Sequence, residues 1–308
     1  MINLEQAKLI THKNCSDGAA CAILFIKAGG KKENIIYSLP VHEQIDKNVQ
    51  EVLSDVSVSF LILADISMSK QMADKVDKQL NDGLKVFLFD HHKTAIPLSG
   101  FTWCEIDKEN TRCGSKIFFD WLVSQSMLSS SNAYGLLIEL IDDRDRWQNC
   151  FNSSKTLSTL FQIVGQNSFI ERFLNNPDVL LSEKERYVID IEEQKLKEYI
   201  EEKKKEIFVK KKIVDGKEYT FGFITSDKYL WNSDLGNAIV YDKTLGIDVA
   251  IMVMNNSVSA RAPSTSEIDL SKIAQKNGGG GHRLAAGWPL NGVLKASLEE
   301  IVEHEIRL

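Results

Sequence analysis

The sequence predicts an α/β protein of two domains joined by a long helix, and three observations carry that prediction. Continuous apolar runs alternate with helical segments in the first half, the pattern of a parallel sheet covered on both faces. A stretch dominated by Glu and Lys from Ser182 to about Lys205 has only sparse apolar positions, as a solvent-exposed connector helix has. After it come shorter strands and helices, the pattern of a smaller α/β domain. At roughly 100–200 residues per domain, 308 residues make about two domains. The expected divisions are 1–181, a helical connector 182–212, and 213–308.

In chain order, residues 7–12 read as a short buried strand and 18–28 as an Ala-rich helix. A second strand is expected at 34–39. The run 58–64 is apolar throughout and ends at Asp65. A helix from about Ser69 to Asn81 follows, with Gly83 where a C-cap glycine would stand. Strand 85–89 runs into Asp90. Helices are expected at 114–127, 132–141 and in parts of 155–176. Past the connector, 217–225, 248–254 and 256–262 read as strands, and Gly236–Asp242 and Ile268–Lys276 as helices. Segment 294–307 reads equally as a strand or a helix.

Charge and cysteine usage narrow the function. With 37 Lys+Arg against 43 Asp+Glu the net charge is −6, which argues against coating duplex nucleic acid by bulk charge and leaves room for a local basic groove. The lysines at 203–205 and 210–212 read first as a solvated face, and second as a short basic path. No run approaches the ~18 apolar residues of a membrane span, and the N-terminus has no signal-peptide pattern. Five cysteines without a C-x-x-C pair fit a reducing, cytoplasmic setting and argue against a cysteine-based zinc site.

Three expected strands end in side chains able to bind metal: His12 with Asp17 just beyond, Asp65, and Asp90 followed by His91 and His92. In an open parallel sheet, ligands bind outside the carboxyl ends of the strands. Each residue alone has an ordinary explanation, such as a helix cap or a surface histidine. Their repetition at three strand ends does not. Carboxylates with imidazoles suit Mn²⁺, Fe²⁺ or Zn²⁺, and the lack of thiolate pairs leans toward Mn²⁺. A further acid cluster, Asp142-Asp143-Arg144-Asp145-Arg146-Trp147, could complete a two-metal site with its arginines placed for phosphate, or form a charged helix end. Gly278-Gly279-Gly280-Gly281-His282-Arg283 reads as a phosphate cradle or a flexible linker. Arg261 reads as a phosphate donor or a core salt bridge.

Together, in this order and over nearly the whole chain, these motifs resemble the DHH/DHHA1 phosphoesterase family. The most specific feature is Asp-His-His followed near the C-terminus by Gly-Gly-Gly-Gly-His-x-x-Ala-Ala-Gly. The resemblance implies an N-terminal DHH domain with a parallel sheet and a C-terminal DHHA1 domain, facing each other across an active-site cleft. It also implies two Mn²⁺-type ions, with Mg²⁺ or another divalent cation able to substitute. By position, His12, Asp17, Asp65, Asp90 and His91 resemble metal ligands, Asp65 as the bridge between ions. Asp143 resembles the last ligand, with Asp142 as the alternative. Asp65, Asp90 and His92 resemble the catalytic group, and Arg261, Gly279, Gly280, Gly281, His282 and Arg283 the substrate grip.

The chain departs from the common pattern at His12-Lys13-Asn14-Cys15-Ser16-Asp17-Gly18, which has one Asp where many members have two. It resembles a subset reading His-x-Asn-Cys-x-Asp-Gly, with Asn14 or Cys15 in the neighbourhood of the missing acid. The implied activity is metal-dependent phosphodiester hydrolysis of short single-stranded RNA or DNA. The alternatives are a small nucleotide substrate (cyclic dinucleotide or phosphoadenosine phosphate) or a nucleotide-binding regulator that has lost catalysis. No membrane partner is expected, and a homodimer is an open outcome.

Overall fold

The structure, a computed structural model, describes residues 3–80, 84–129 and 133–290. The chain forms two compact units that divide between Glu192 and Glu193.

The first unit is built on five parallel strands: β1 (Ala7–His12), β2 (Ile35–Ser38), β3 (Phe60–Ala64), β4 (Lys85–Asp90) and β5 (Cys104–Ile106), in the order β2-β1-β3-β4-β5. Residues of β3 are buried along its whole length, as a strand covered on both faces must be. One face packs Leu9, Ile62 and Phe89 under α1 (Ser16–Lys27), α4 (Gly114–Ser124), α5 (Tyr134–Asp145) and α6 (Asn152–Asn175). The other packs Ile10, Leu61, Leu63 and Leu88 under α2 (His42–Leu53) and α3 (Lys70–Gln79). The alternation of Leu9 with Ile10, and of Ile62 with Leu61 and Leu63, divides the strand side chains between the two cores.

The register positions the site. Thr11 pairs with Ala64, and Ala64 with Phe89. The next residues, His12, Asp65 and Asp90, therefore leave neighbouring strands at one level on one edge.

Helix α2 is not among the expected elements, although Ile45, Val49 and Val52 carry the helical i, i+4, i+7 spacing and are buried. Polar residues around them dilute the signal. At the start of α3, Ser69 Oγ accepts the Met72 N–H, and Asp46 of α2 accepts the Ser69 hydroxyl. The expected C-cap at Gly83 lies outside the described residues. Helix α6 is interrupted at Gly165, whose φ of +74° belongs to no α-helix.

Helix α7 (Glu183–Lys204) is the expected connector, and the division between the units falls inside it. Its expected extension to 212 is corrected. Phe208–Val214 is a strand, β6, paired antiparallel with β7 (Lys217–Thr225). The alternating Lys210 and Lys212 belong to a period-2 edge strand, where exposed lysines discourage edge-to-edge pairing.

The second unit continues with α8 (Asn232–Val240), β8 (Val249–Val253), β9 (Ser257–Arg261), α9 (Leu270–Lys276), β10 (Gly280–Gly281) and β11 (Ala285–Pro289). Among the described residues its sheet order is β10-β11-β9-β8-β7-β6, and of these pairs only β7 and β8 run parallel. Segment 294–307 lies outside the described residues.

Candidate metal centre

The C-terminal edge of the parallel sheet gathers most of the expected ligands. Asp65 stands at φ +60°, in the left-handed region that Asp tolerates better than most residues, and its N–H donates to Phe89 O at 2.9 Å. Gly114 makes this turn possible. A Cβ there would lie 2.6 Å from Asp65 Cα, so only glycine lets the start of α4 rest against Asp65. Asp65 Oδ2 lies 3.4 Å from His12 Nδ1, and Asp65 Oδ1 lies 3.7 Å from His91 Nε2.

Behind the histidines stand acceptors that set their orientation. Asn110 Oδ1 is 2.9 Å from His91 Nδ1, which turns Nε2 toward Asp65. Asp90 Oδ1 is 2.7 Å from His92 Nδ1 and also accepts the N–H groups of His91 and His92. An imidazole whose second nitrogen is tied to an oxygen acceptor is the usual arrangement of a metal-ligating histidine.

Within the first unit, three sets of donor atoms lie within 4.8 Å of one another: Asp65, Asp90, His91 and His92; His12, Cys15 and Asp65; and Asp17, His91 and Asp145. Asp65 belongs to two of these sets and His91 to two, so the groups form one continuous cluster. The donor chemistry fits a divalent cation. Asp65 Oδ2 and Asp90 Oδ2 are buried without a hydrogen-bond donor, and a buried unsatisfied carboxylate oxygen is costly unless something positive meets it. The electrostatics agree. Burial, then the charges of Asp65 and Asp145, push the Asp17 carboxyl well above its usual range. Burial would raise Asp65 as well, but the adjacent imidazoles of His12, His91 and His92 outweigh it and hold Asp65 well below. Adjacent acids driven apart in this way mark a surplus of negative charge.

Other expected residues have different partners. Asp17 is fully buried and caps α4: its oxygens accept from Gly114 N at 2.8 Å, Ser115 N at 2.9 Å and Cys113 Sγ at 3.0 Å. Asp143 faces the start of α6, where it accepts from Cys150 N at 2.8 Å, Phe151 N at 3.3 Å and Ser154 Oγ at 2.5 Å. Asp142 accepts from Cys113 N at 2.6 Å and from Arg146 Nε at 3.0 Å. The acid of this segment that reaches the cluster is Asp145, with Oδ2 3.3 Å from His91 Nε2. Of the three acids, it is thus Asp145 that stands beside His91, while Asp142 and Asp143 face the starts of α4 and α6. Helical phase separates Asp145 from Asp143, two positions apart and on opposite sides of α5, but not from Asp142. The arginines are not turned to phosphate: Arg146 binds Asp142, and the Arg144 guanidinium lies 3.9 Å from the centre of the Trp147 ring.

Beside the loop that follows His12 lies a groove of about 630 Å³ lined by Lys13, Asn14, Tyr37 and residues 164–168. The break at Gly165 lets Gln166 Oε1 accept the Asn14 N–H at 2.6 Å.

In the second unit, Arg261 donates to Ser233 Oγ at 2.7 Å, Ala260 O at 2.8 Å and Ser259 Oγ at 3.0 Å. These partners are hydroxyls and a carbonyl, in place of the carboxylate of the core salt bridge considered from sequence. Burial lowers the Arg261 pKa to about 10, against the opposing charges of Tyr229 and Asp234. Arg283 is tied to the carbonyls of Ser266 and Ile268, which makes it a loop staple. Gly280 and Gly281 pair with Gly287 and Ala286 in the β10–β11 hairpin. Gly279 sits so close to it that a Cβ would lie 2.1 Å from Gly287 O. His282 N donates to Ala285 O at 2.7 Å in the same hairpin.

No protein-family model matches the chain. The oligoribonuclease NrnB of Bacillus subtilis (strain 168) is 26% identical over 290 residues, covering 89% of this chain and 70% of the relative. Among solved structures, a DHH domain from a member of a family of ribosomal proteins superposes with a TM-score of 0.56 at 14% identity, over 99% of this chain and 88% of that one. The exonuclease RecJ bound to manganese superposes with a TM-score of 0.53 at 12% identity, over 96% and 89%. These likenesses establish the fold, and the strand-end residues supply the motif that gives the family its name. With Asp90-His91-His92 at the edge of its parallel sheet, and a second α/β unit carrying the glycine-rich hairpin, the chain shares the fold of these DHH-domain structures and carries the motifs by which its sequence resembles the DHH/DHHA1 family.

Proposed function

We propose that this protein is a divalent-metal-dependent phosphodiesterase that hydrolyses short single-stranded oligonucleotides from an end. The observation that carries the reading is the continuous cluster of donors centred on Asp65, with two buried carboxylate oxygens that nothing in the described chain satisfies. Similarity to an oligoribonuclease over most of both chains supports the choice of substrate.

His12, Asp65, Asp90, His91 and Asp145 are the residues that would hold the metal, Mn²⁺ being the first candidate for a site of carboxylates and imidazoles. A divalent cation held there would activate water near neutral pH and would offset charge on the phosphate oxygens. Asp90 orients His92 through Nδ1, so Nε2 is the nitrogen turned toward a reacting phosphate. Asp17 acts through α4: by capping that helix it keeps Gly114 against Asp65. The groove beside Lys13 offers room for a nucleotide adjoining the scissile bond. In the second unit, the hydrogen bonds of the Arg261 guanidinium go to neutral acceptors, a state that favours an incoming phosphate. The β10–β11 hairpin beside it would present backbone N–H groups to the same kind of ligand.

The test is Mn²⁺-dependent release of mononucleotide from 5′-labelled RNA and DNA oligomers of a few residues, with Asp90→Asn protein in parallel. Release that the variant lacks is expected, and the product ladder gives the end attacked. An inactive wild-type protein that binds Mn²⁺, or equal release by the variant, would overturn the reading.

A further inference from the structure

Cys15 occupies the N-cap position of α1, where Ser, Thr, Asp or Asn normally supplies an oxygen to the first turn. Its side chain makes no capping bond to the first turn. The sulfur lies within 4.8 Å of a His12 ring nitrogen and an Asp65 carboxylate oxygen. The same Asp65, 1% exposed, holds an Oδ2 with no hydrogen-bond donor, 3.4 Å from His12 Nδ1. Three donors of three kinds therefore converge where one of them is buried and unsatisfied. Two residues beyond Cys15, Asp17 has both oxygens engaged by α4 and cannot turn to this place without uncapping that helix.

We infer that Cys15 is a thiolate ligand, so that the centre is asymmetric: His12, Cys15 and Asp65 form a sulfur-bearing position, and Asp90, His91 and Asp145 complete one of nitrogen and oxygen only around the shared Asp65. The inference rests on reading the cluster as a metal centre, and goes beyond it by giving the two positions different preferences. Thiolate is a soft donor that selects Zn²⁺, Co²⁺ or Fe²⁺ over Mg²⁺ and Mn²⁺, whereas the other position keeps the harder preference. Metal binding displaces the thiol proton to solvent, and the sulfur donates its lone pair to the cation.

The experiment is titration of the metal-free full-length protein with Co²⁺, followed by optical absorption, and X-ray absorption at the metal edge of the Zn²⁺-loaded protein. We expect a near-ultraviolet sulfur-to-cobalt charge-transfer band and a Zn–S shell near ~2.3 Å in the wild type. Both should be lost in Cys15→Ser and kept in Cys113→Ser. Cys15→Asp, which restores a charged oxygen donor if the serine variant fails to fold, should lack both signals and lower the Zn²⁺-to-Mn²⁺ affinity ratio by about tenfold or more. Visible cobalt ligand-field bands without a charge-transfer band in the wild type, or sulfur signals that survive in Cys15→Asp, would overturn the role of Cys15 while leaving the metal centre standing. The absence of any cobalt spectrum would overturn the metal reading and this inference together.

Discussion

Two groups of aspartates lie close together in the first unit, and they differ in what meets their oxygens. Asp107, Asp142 and Asp143 are buried, yet every one of them accepts from backbone N–H groups or from a side chain that its own loop or helix supplies. Asp65 and Asp90 are equally buried, and each keeps one oxygen with no donor. The first group holds the chain together at turns and helix starts. The second is stable only because histidines lie alongside, and it leaves room for a cation. Hydrogen-bond satisfaction, more than burial or residue type, separates acids that build the fold from acids available for chemistry.

The comparison breaks if the two groups respond alike to substitution. The largest effect is expected at Asp65→Asn: a loss of about 10³-fold or more in kcat/KM, corresponding to the several kcal/mol of charge stabilisation that a bound cation provides. The metal-free variant should unfold at a lower denaturant midpoint than the wild type, because it loses the favourable Asp65 charge beside His12, His91 and His92. A near-wild-type rate would remove Asp65 from the centre.

Asp145→Asn comes next. Here we expect metal affinity and kcat/KM to fall by about 10–100-fold, whereas Asp143→Asn should leave metal affinity within about threefold. Equilibrium metal titration of both variants decides this, and a larger metal defect in Asp143→Asn would reverse the assignment.

Asp143→Ala should instead cost about 3 kcal/mol of stability, since it strips the N–H groups of Cys150 and Phe151 and the Ser154 hydroxyl of their acceptor. Urea unfolding measures it, and a loss below about 0.5 kcal/mol would show that this cap is dispensable.

A smaller effect is expected with pH. Burial would raise Asp143 and Asp107, but hydrogen bonds outweigh it and hold both carboxyls below their usual value: from Ser154, Cys150 and Phe151 for Asp143, and from Thr111, Arg112 and Glu109 for Asp107. A carboxyl depressed in the folded state contributes stability above its unfolded pKa of about 4 and loses it as pH falls through the lower folded value. Stability from these two residues should therefore be level from neutral pH to about pH 5 and decline below about pH 4. In Asp143→Asn the decline should be shallower, and an unchanged slope would sever the link to that cap.

The sequence by itself determined the parallel sheet of the first unit, the connector helix and the convergence of His12, Asp65, Asp90, His91 and His92. Apolar runs report burial on both faces, and strands that run parallel must bring the residues after them to a common edge, whatever their separation along the chain. Tertiary structure alone decided how the remaining groups are used. Which of Asp142, Asp143 and Asp145 reaches His91 depends on where the starts of α4 and α6 stand, because their unpaired N–H groups compete for the same carboxylates. Asp17 was drawn to α4 by the same competition, and the sulfur of Cys15 was left beside His12 and Asp65. The lysines at 210–212 became part of an edge strand because β7 offered them a partner, and that pairing is not written in their local pattern. Local periodicity records which residues are buried. The assignment of each polar atom to its partner is made across the fold, between groups that the chain brings together only once its cores have formed.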